Sequence, residues 1–352
     1  MSLKIKGVRS FLVVIFVIAL NTGFAQTTAR GEDDASSTKE TFPGTAPAVL
    51  WRNPDDIATR DLFFGPGGKE DAPPEATFTF LNEDTAGSNP KFDVRDANGV
   101  KWKIKLGDEA QPETVATRLV WAVGYFADED YFVRETTIAD MPAHLHRGNQ
   151  FVQGGDVVYN ARLERDRKGE KKIGEWRWKE NPFSGSRELN GLRVMMALLN
   201  SWDTKDMNNT VLEQKSKDGL DGAPQIFFIS DLGASFGAPG FAWPHSKSRG
   251  NLKAYSDSKF IKKVTADYVD FNAPARSALI RSFDVPDFVK RIRLRWIGRR
   301  IPIADARWIG GLLGQLSATQ IRDAFRAAGY SPEEVEGYSR VIEARIAELK
   351  QL

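Results

Sequence analysis

Two stretches decide the fold: WDTKDMN at residues 202–208 and FFISDLG at residues 227–233. The first follows a predicted amphipathic helix over 187–200, whose leucine and methionine side chains recur at helical spacing. A predicted β-hairpin with strands at 210–214 and 225–230 comes next, and its second strand runs into Asp-Leu-Gly. Each stretch alone is also typical of an ordinary polar turn. Their order along the chain makes them informative.

The segment upstream is rich in predicted β-strands. Candidate strands lie at 77–81 and 91–96, and Asn98-Gly99 is a strong signal for a two-residue hairpin turn. The hairpin leads into 100–106, where apolar side chains alternate with Lys101, Lys103 and Lys105. Alternation places the three lysines on one face of a strand. A helix is predicted from Pro112, followed by strands at 131–138 and 157–164.

The motif Asp-x-Lys-x-x-Asn at 203–208 resembles the catalytic loop of the protein-kinase-like superfamily, and Asp-Leu-Gly at 231–233 resembles its metal-binding Asp-Phe-Gly. The resemblance implies an α+β, two-lobed protein-kinase-like fold. A small β-rich N-lobe with one helix would span 51–180, and a larger, mainly helical C-lobe would span 181–352. The spacings are more similar to the atypical branches, namely phosphatidylinositol-kinase-like, toxin-type and secretory-pathway kinases. They identify no subfamily.

The resemblance also implies roles for individual residues. Asp203 would be the catalytic carboxylate and Lys205 a phosphate contact, with Asn208 and Asp231 as metal ligands. The nucleotide-binding residues would be the phosphate lysine (Lys105 in preference to Lys103), its ion-pair partner Glu113, and Gly87 and Ser88 in the phosphate-covering loop.

The implied cofactors are ATP and Mg²⁺ or Mn²⁺, and the implied acceptor is a hydroxyl of a protein, lipid or sugar. Three features depart from typical protein kinases. The loop holds a single glycine, Trp202 precedes the catalytic Asp, and Lys105 and Glu113 are only eight residues apart. A catalytically inactive, pseudokinase-type binding or scaffold protein in the cell envelope therefore remains an alternative. A hydrolase that uses Asp203 and Asp231 as paired carboxylates is another.

Composition excludes several kinds of site. The 352 residues contain no cysteine, so there is no disulfide, thiolate zinc site, iron–sulfur cluster or cysteine nucleophile. The chain carries 49 Lys and Arg against 47 Asp and Glu, without the basic excess of a general nucleic-acid binder. The basic cluster at 290–300 is a candidate contact for an anionic partner, although such runs are more often a solvated face.

The N-terminus has the pattern of a secretory signal peptide. Lys4, Lys6 and Arg9 precede an apolar run over 11–20, and Ala25 ends a stretch suited to cleavage. Residues 1–25 are therefore predicted to be removed on export, and 26–50 to form a flexible linker. The mature chain is expected to be periplasmic or secreted, with no transmembrane span. The alternative is an uncleaved N-terminal anchor.

Overall fold

A computed structural model describes residues 47–85, 89–167, 169–214, 224–237, 249–272 and 295–352. The predicted signal peptide, most of the predicted linker, Gly87, Ser88 and part of the basic cluster lie outside these residues. The described residues form one compact unit of mixed α/β structure. Across the described ranges, every helix is too short or too polar to cross a membrane.

The N-terminal half of the described chain is mainly β-structure. The strands, in chain order, are β1 (Ala48–Val49), β2 (Phe78–Asp84), β3 (Lys91–Arg95), β4 (Lys101–Lys105), β5 (Asp130–Ala139), β6 (Val152–Gln153), β7 (Val157–Arg165), β8 (Glu170–Gly174), β9 (Asn209–Gln214), β10 (Gln225–Ile229), β11 (Ile261–Val264), β12 (Tyr268–Phe271) and β13 (Ile301–Pro302). The helices are α1 (Ala110–Ala122), α2 (Arg187–Leu198), α3 (Leu252–Ser256), α4 (Ile303–Leu313), α5 (Ala318–Ala327) and α6 (Pro332–Lys350).

The largest sheet has the order β4-β3-β2-β5-β7-β6, and it closes on itself because β4 also pairs with β7. The β4–β7 register runs from Trp102 opposite Arg165 to Lys105 opposite Arg162. Inside the closed sheet lies a small core that includes Phe78, Phe92 and Trp102. The alternation of β4 places Trp102 inside, so the lysines of this strand point the other way, as the sequence predicts.

A second sheet has the order β1-β10-β9-β8. The stretch at 202–208 leads into β9, and the stretch at 227–233 begins in β10. The hairpin of β9 and β10 is antiparallel, with Asn209 opposite Ile229. All five residues of β10 are buried, as expected for a strand covered on both faces. This sheet therefore places residue 208, before β9, next to residue 230, after β10.

Two boundaries differ from the sequence-based expectation. The predicted linker runs to residue 50, but β1 pairs with β10 in parallel and Leu50 is buried. The predicted N-lobe runs to residue 180, but β8 belongs to the β9–β10 sheet, and Trp176 and Trp178 lie in the larger core. Both differences come from pairing between segments far apart in sequence, which local patterns do not record.

Helix α1 packs on the larger core rather than on the core inside the closed sheet. Val115, Leu119 and Val120 are buried there with residues of α2, α4, α5 and α6. Capping boxes begin two of the C-terminal helices, Ser317 with Gln320 at α5 and Ser331 with Glu334 at α6. The C-terminal third also contains a small antiparallel sheet of β11, β12 and β13, which the sequence analysis did not predict.

Candidate active site

Lys105 is at the centre of a buried cluster of charges. Its ammonium Nζ donates to Glu113 Oε2 at 2.8 Å, to Asp231 Oδ1 at 2.7 Å and to Glu109 Oε2 at 3.3 Å. Glu113 comes from the first turn of α1, and Asp231 follows β10. The end of β4, the start of α1 and the distant segment after β10 thus meet at one ammonium group.

Opposite charges hold Lys105 and Asp231 ionised. Burial alone would lower the pKa of Lys105, but Glu113, Asp231 and Glu109 outweigh burial and raise that pKa well above its usual value. Burial alone would raise the pKa of Asp231, but the charge and hydrogen bond of Lys105 lower it. In the hydrolase alternative, a general acid needs a protonated carboxyl, so this lowered pKa suits Asp231 to the role of base or nucleophile rather than acid.

Asp231 is held in an uncommon backbone conformation. Its φ of +54° lies in the left-handed region, which non-glycine residues adopt at a small energetic cost. Buried Ile229 and Leu232 fix the chain on both sides. The conformation turns the carboxylate from the end of β10 towards Lys105.

The catalytic-loop candidates lie on the neighbouring segment between α2 and β9. Lys205 Nζ donates to Asp203 Oδ2 at 3.0 Å, and Asn208 Nδ2 donates to the backbone oxygen of Asp203 at 2.8 Å. The backbone N–H of Ser230 donates to the carbonyl oxygen of Asn208 at 3.2 Å. This bond places Asn208 beside Asp231, which follows Ser230.

One cavity of about 750 Å³ is lined by the two groups together: Lys103, Lys105, Glu109, Glu113, Asp203, Lys205, Asn208 and Asp231. This volume is typical of small-molecule sites. Charged side chains dominate the lining, which favours a charged ligand over an apolar one. The cavity also extends to Leu212 and Phe228.

The two lysine candidates of β4 differ in their surroundings. The Lys103 side chain is 41% exposed and lies 4.0 Å from Asp84, whereas the Lys105 side chain is 6% exposed and contacts Glu113. Lys103 therefore lies at the rim of the cavity and Lys105 in its depth. Gly87 and Ser88 fall outside the described residues.

The sequence analysis missed Glu109, which is 4% exposed and contacts Lys105. It precedes α1 without capping it, because its side chain is directed to other groups. Gly233 packs against it, since a Cβ atom at this glycine would lie 2.5 Å from Glu109 Cβ. The four-residue spacing of Lys105 and Glu109 was the available signal, but it normally reports a helix.

Arg162 on β7 is a second missed residue. It is buried, lies 3.4 Å from Glu113 Oε2 and also pairs with Asp130 and Glu164. The β4–β7 pairing places Arg162 opposite Lys105. Arg162 therefore contacts Glu113 from the neighbouring strand and also lines the cavity, and only the closure of the sheet reveals this contact.

The residues present suit a hard divalent cation. Asp231 supplies a carboxylate, and the nitrogen of the Asn208 amide is taken by Asp203, which leaves its oxygen for a cation. Glu109, Glu113 and Asp231 also bring one oxygen each within 4.8 Å of one another, around Lys105. Mg²⁺ takes oxygen ligands and keeps several waters, so a few protein ligands are enough.

A kinase is among the solved structures that resemble this chain. The crystal structure of the proinflammatory kinase CtkA of Helicobacter pylori aligns with a TM-score of 0.38 and 12% identity, covering 79% of this chain and 98% of that chain. No protein-family model matches the sequence, and no match was found among curated proteins. At this TM-score the neighbour adds no weight to a functional assignment, which depends on the side chains of the site.

Proposed function

We propose that this protein is a phosphotransferase of the atypical kinase-like kind, which moves the γ-phosphate of ATP to a hydroxyl group. One observation carries the proposal. The ammonium of Lys105, on a strand, lies within 2.8 Å of the carboxylates of Glu113, on a helix, and Asp231, in Asp-Leu-Gly. The same cavity is lined by Asp203, Lys205 and Asn208. Phosphoryl transfer needs these groups, because it depends on positioning and on stabilising charge.

Each side chain has a role in this reaction. Lys105, oriented by Glu113, binds the phosphates of the nucleotide. Asp203 accepts the proton of the acceptor hydroxyl, whose oxygen attacks the γ-phosphorus as the bond to the bridging oxygen of ADP breaks. Lys205, 3.0 Å from Asp203, lies beside the reacting groups and stabilises the charge on the transferred phosphoryl group.

Asn208 and Asp231 would hold Mg²⁺ through their side-chain oxygens. The ion would neutralise charge on the phosphates. Asp231 must then exchange Lys105 for the cation, which would replace the ammonium as its positive partner.

The proposal extends to the arrangement of the chain. The small core inside the closed sheet and the larger core with the C-terminal helices would correspond to the two lobes of a kinase-like fold. The signal peptide predicted at 1–25 would direct the protein out of the cytoplasm, so the acceptor would be a hydroxyl on an exported or envelope molecule. The exposed Arg299 and Arg300, at the end of the basic cluster, would be available to an anionic acceptor.

The test is ATP turnover and self-phosphorylation by the purified protein with γ-labelled ATP and Mg²⁺. Asp203→Asn and Asp231→Asn should each lower turnover by about 100-fold or more, the usual contribution of a positioned acid or base. Asp257→Asn is the matched control, because Asp257 is exposed and pairs with Lys253 on the same short helix. Equal turnover in all four proteins would contradict the assignment.

The alternative is a binding protein without catalysis. One observation favours it: the three carboxylates already engage the single ammonium of Lys105, so nucleotide phosphates must displace at least one of them. Mg²⁺-dependent ATP binding that is lost in Asp231→Asn, together with no turnover by the wild-type protein, would establish this alternative. Neither binding nor turnover would overturn the phosphotransferase proposal and leave a binding or scaffold protein that takes no nucleotide.

A further inference from the structure

Three hydrogen-bond donors converge on the carboxylate of Glu109. Lys105 Nζ donates to Oε2 at 3.3 Å, and Asn89 Nδ2 donates to the same oxygen. Arg249 Nη2 lies 2.9 Å from the other oxygen, Oε1. The donors come from three places: the residues before β3, the end of β4, and the segment before α3. A carboxylate with 4% exposure thus sits among an ammonium, a guanidinium and an amide.

This donor set matches the requirements of a phosphate. Guanidinium and ammonium groups form short, charge-assisted bonds with phosphate oxygens, and a side-chain amide adds a neutral donor. A carboxylate has two oxygens to share among these donors, whereas a phosphate has three or more. Glu109 also lines the cavity that contains Lys105 and Asp231.

Arg249 has a further feature that points to an anion. Its Nε atom is buried and has no hydrogen-bond partner among the residues that the structure describes. Its guanidinium lies 5.5 Å from the ring centroid of Trp202, the residue before Asp203. The backbone after it is fixed, since Gly250 N–H donates to the carbonyl oxygen of Ser235 at 3.0 Å. Arg249 is thus a positioned cation, with a spare donor, between the Lys105 cluster and the catalytic-loop candidates.

We propose that Arg249 and Asn89 bind phosphate together with Lys105, and that Glu109 occupies their donors until a phosphate group replaces it. The proposal rests on the proposed phosphoryl transfer and adds two phosphate-contacting residues and one competing residue to it. A phosphate that enters must displace Glu109, because two anions cannot share the same donors at close range.

The probe is inorganic tripolyphosphate, which has the phosphates of ATP without the nucleoside. Its affinity is measured by calorimetry for the purified full chain, Glu109→Gln, the double variant Glu109→Gln with Arg249→Gln, and Asp108→Asn. Asp108 is the matched control, because it is exposed and precedes Glu109 directly. Glu109→Gln should bind at least about tenfold more tightly, Asp108→Asn should equal wild type, and adding Arg249→Gln should remove the gain.

Equal affinities of wild type and Glu109→Gln would overturn the proposal.

If Glu109→Gln does not fold, Arg249→Gln alone decides. It should weaken tripolyphosphate binding several-fold, while the exposed Arg177→Gln should not. Equal binding by Arg249→Gln and wild type would overturn the proposal in that case.

Failure of the proposed function can be distinguished from failure of the phosphate site. If tripolyphosphate binds as expected but ATP is not turned over, the phosphate site stands and the proposed phosphoryl transfer fails. If ATP is turned over but Glu109→Gln and Arg249→Gln bind tripolyphosphate with wild-type affinity, phosphoryl transfer stands and the proposed phosphate site fails.

Discussion

Lys105 shows what burial does to a single charged side chain. Its ammonium is almost fully covered, and three carboxylates replace the water it has lost. Buried ion pairs contribute little when compared with apolar replacements, but removing one partner leaves an unpaired buried charge. The stability of the site and its proposed phosphate chemistry therefore depend on the same atom.

Lys105→Met should destabilise the protein by about 3 kcal/mol or more, because it leaves Glu113 and its neighbours without their cation. Lys103→Met is the matched control on the same face of β4, and it should change the free energy of unfolding by less than about 0.5 kcal/mol. Urea unfolding measures both. Equal losses in the two variants would show that Lys105 is not the centre of the cluster.

Asp231 should make stability depend on pH in acid. Its folded-state pKa is lowered, although burial opposes this, because Lys105 favours the ionised form. The stabilisation is therefore present above the unfolded-state pKa of about 3.9 and is lost as pH falls through the folded-state value. Between pH 5 and pH 3, the free energy of unfolding should fall more for wild type than for Asp231→Asn, because only wild type has this carboxylate to protonate. Parallel curves would contradict the ion pair.

At the scale of elements, Gly233 joins the Asp-Leu-Gly segment to the start of α1. A Cβ atom at Gly233 would collide with the Cβ atom of Glu109, whereas one at Gly311 in α4 would meet open space. Close packing of this kind fixes the distance between two segments that both carry site residues.

Gly233→Ala should therefore displace Glu109 or the Asp-Leu-Gly segment, at a cost of about 1–3 kcal/mol for an overpacked contact. Gly311→Ala is the control, and it should stabilise the protein by up to about 1 kcal/mol, because alanine is the better helix former. Thermal unfolding and ATP affinity check both effects. A neutral Gly233→Ala would mean that the contact with Glu109 is loose.

The elements that the sequence predicts are those with a local cause. Alternation in β4 and the hairpin at Asn98-Gly99 each depend on neighbouring residues, although the loop between β3 and β4 spans 96–100 instead of two residues. Asp231 was predicted as a site residue from the Asp-Leu-Gly motif and Lys105 from the alternation of β4, which left Lys103 as the alternative lysine.

The remaining features depend on contacts between distant segments. The β4–β7 pairing brings Arg162 to Glu113, and the fold brings Arg249 to Glu109 across 140 residues. The pairing of β13 with β12 also joins strands far apart in the chain. No periodicity within a segment reports such pairings, so these residues could not be assigned from the sequence.

At the scale of the whole molecule, the segment at 47–52 supports the sheet that presents Asp231. Strand β1 pairs with β10, Leu50 is 2% exposed, and Trp51 Nε1 donates to the carbonyl oxygen of Val123 at 2.7 Å. This segment therefore links the β10 strand to the end of α1.

A chain that begins at residue 53 should be less stable than one that begins at residue 47 by about 3 kcal/mol. The loss combines the burial of one leucine with about one hydrogen bond. Urea unfolding of the two shortened proteins measures it, and the one beginning at residue 47 is the control. Equal stabilities would show that β1 does not support β10.

The central claim is that the cavity binds ATP through Mg²⁺ and the Lys105–Asp231 cluster. Isothermal titration calorimetry of ATP with wild type and Asp231→Asn, each with and without Mg²⁺, tests it most directly. We expect measurable binding by wild type that depends on Mg²⁺ and is lost in Asp231→Asn, with Asp257→Asn behaving as wild type. ATP at about 100 times its dissociation constant should then add about 2.7 kcal/mol to the free energy of unfolding. No binding by wild type, or binding that Asp231→Asn leaves unchanged, would contradict the claim.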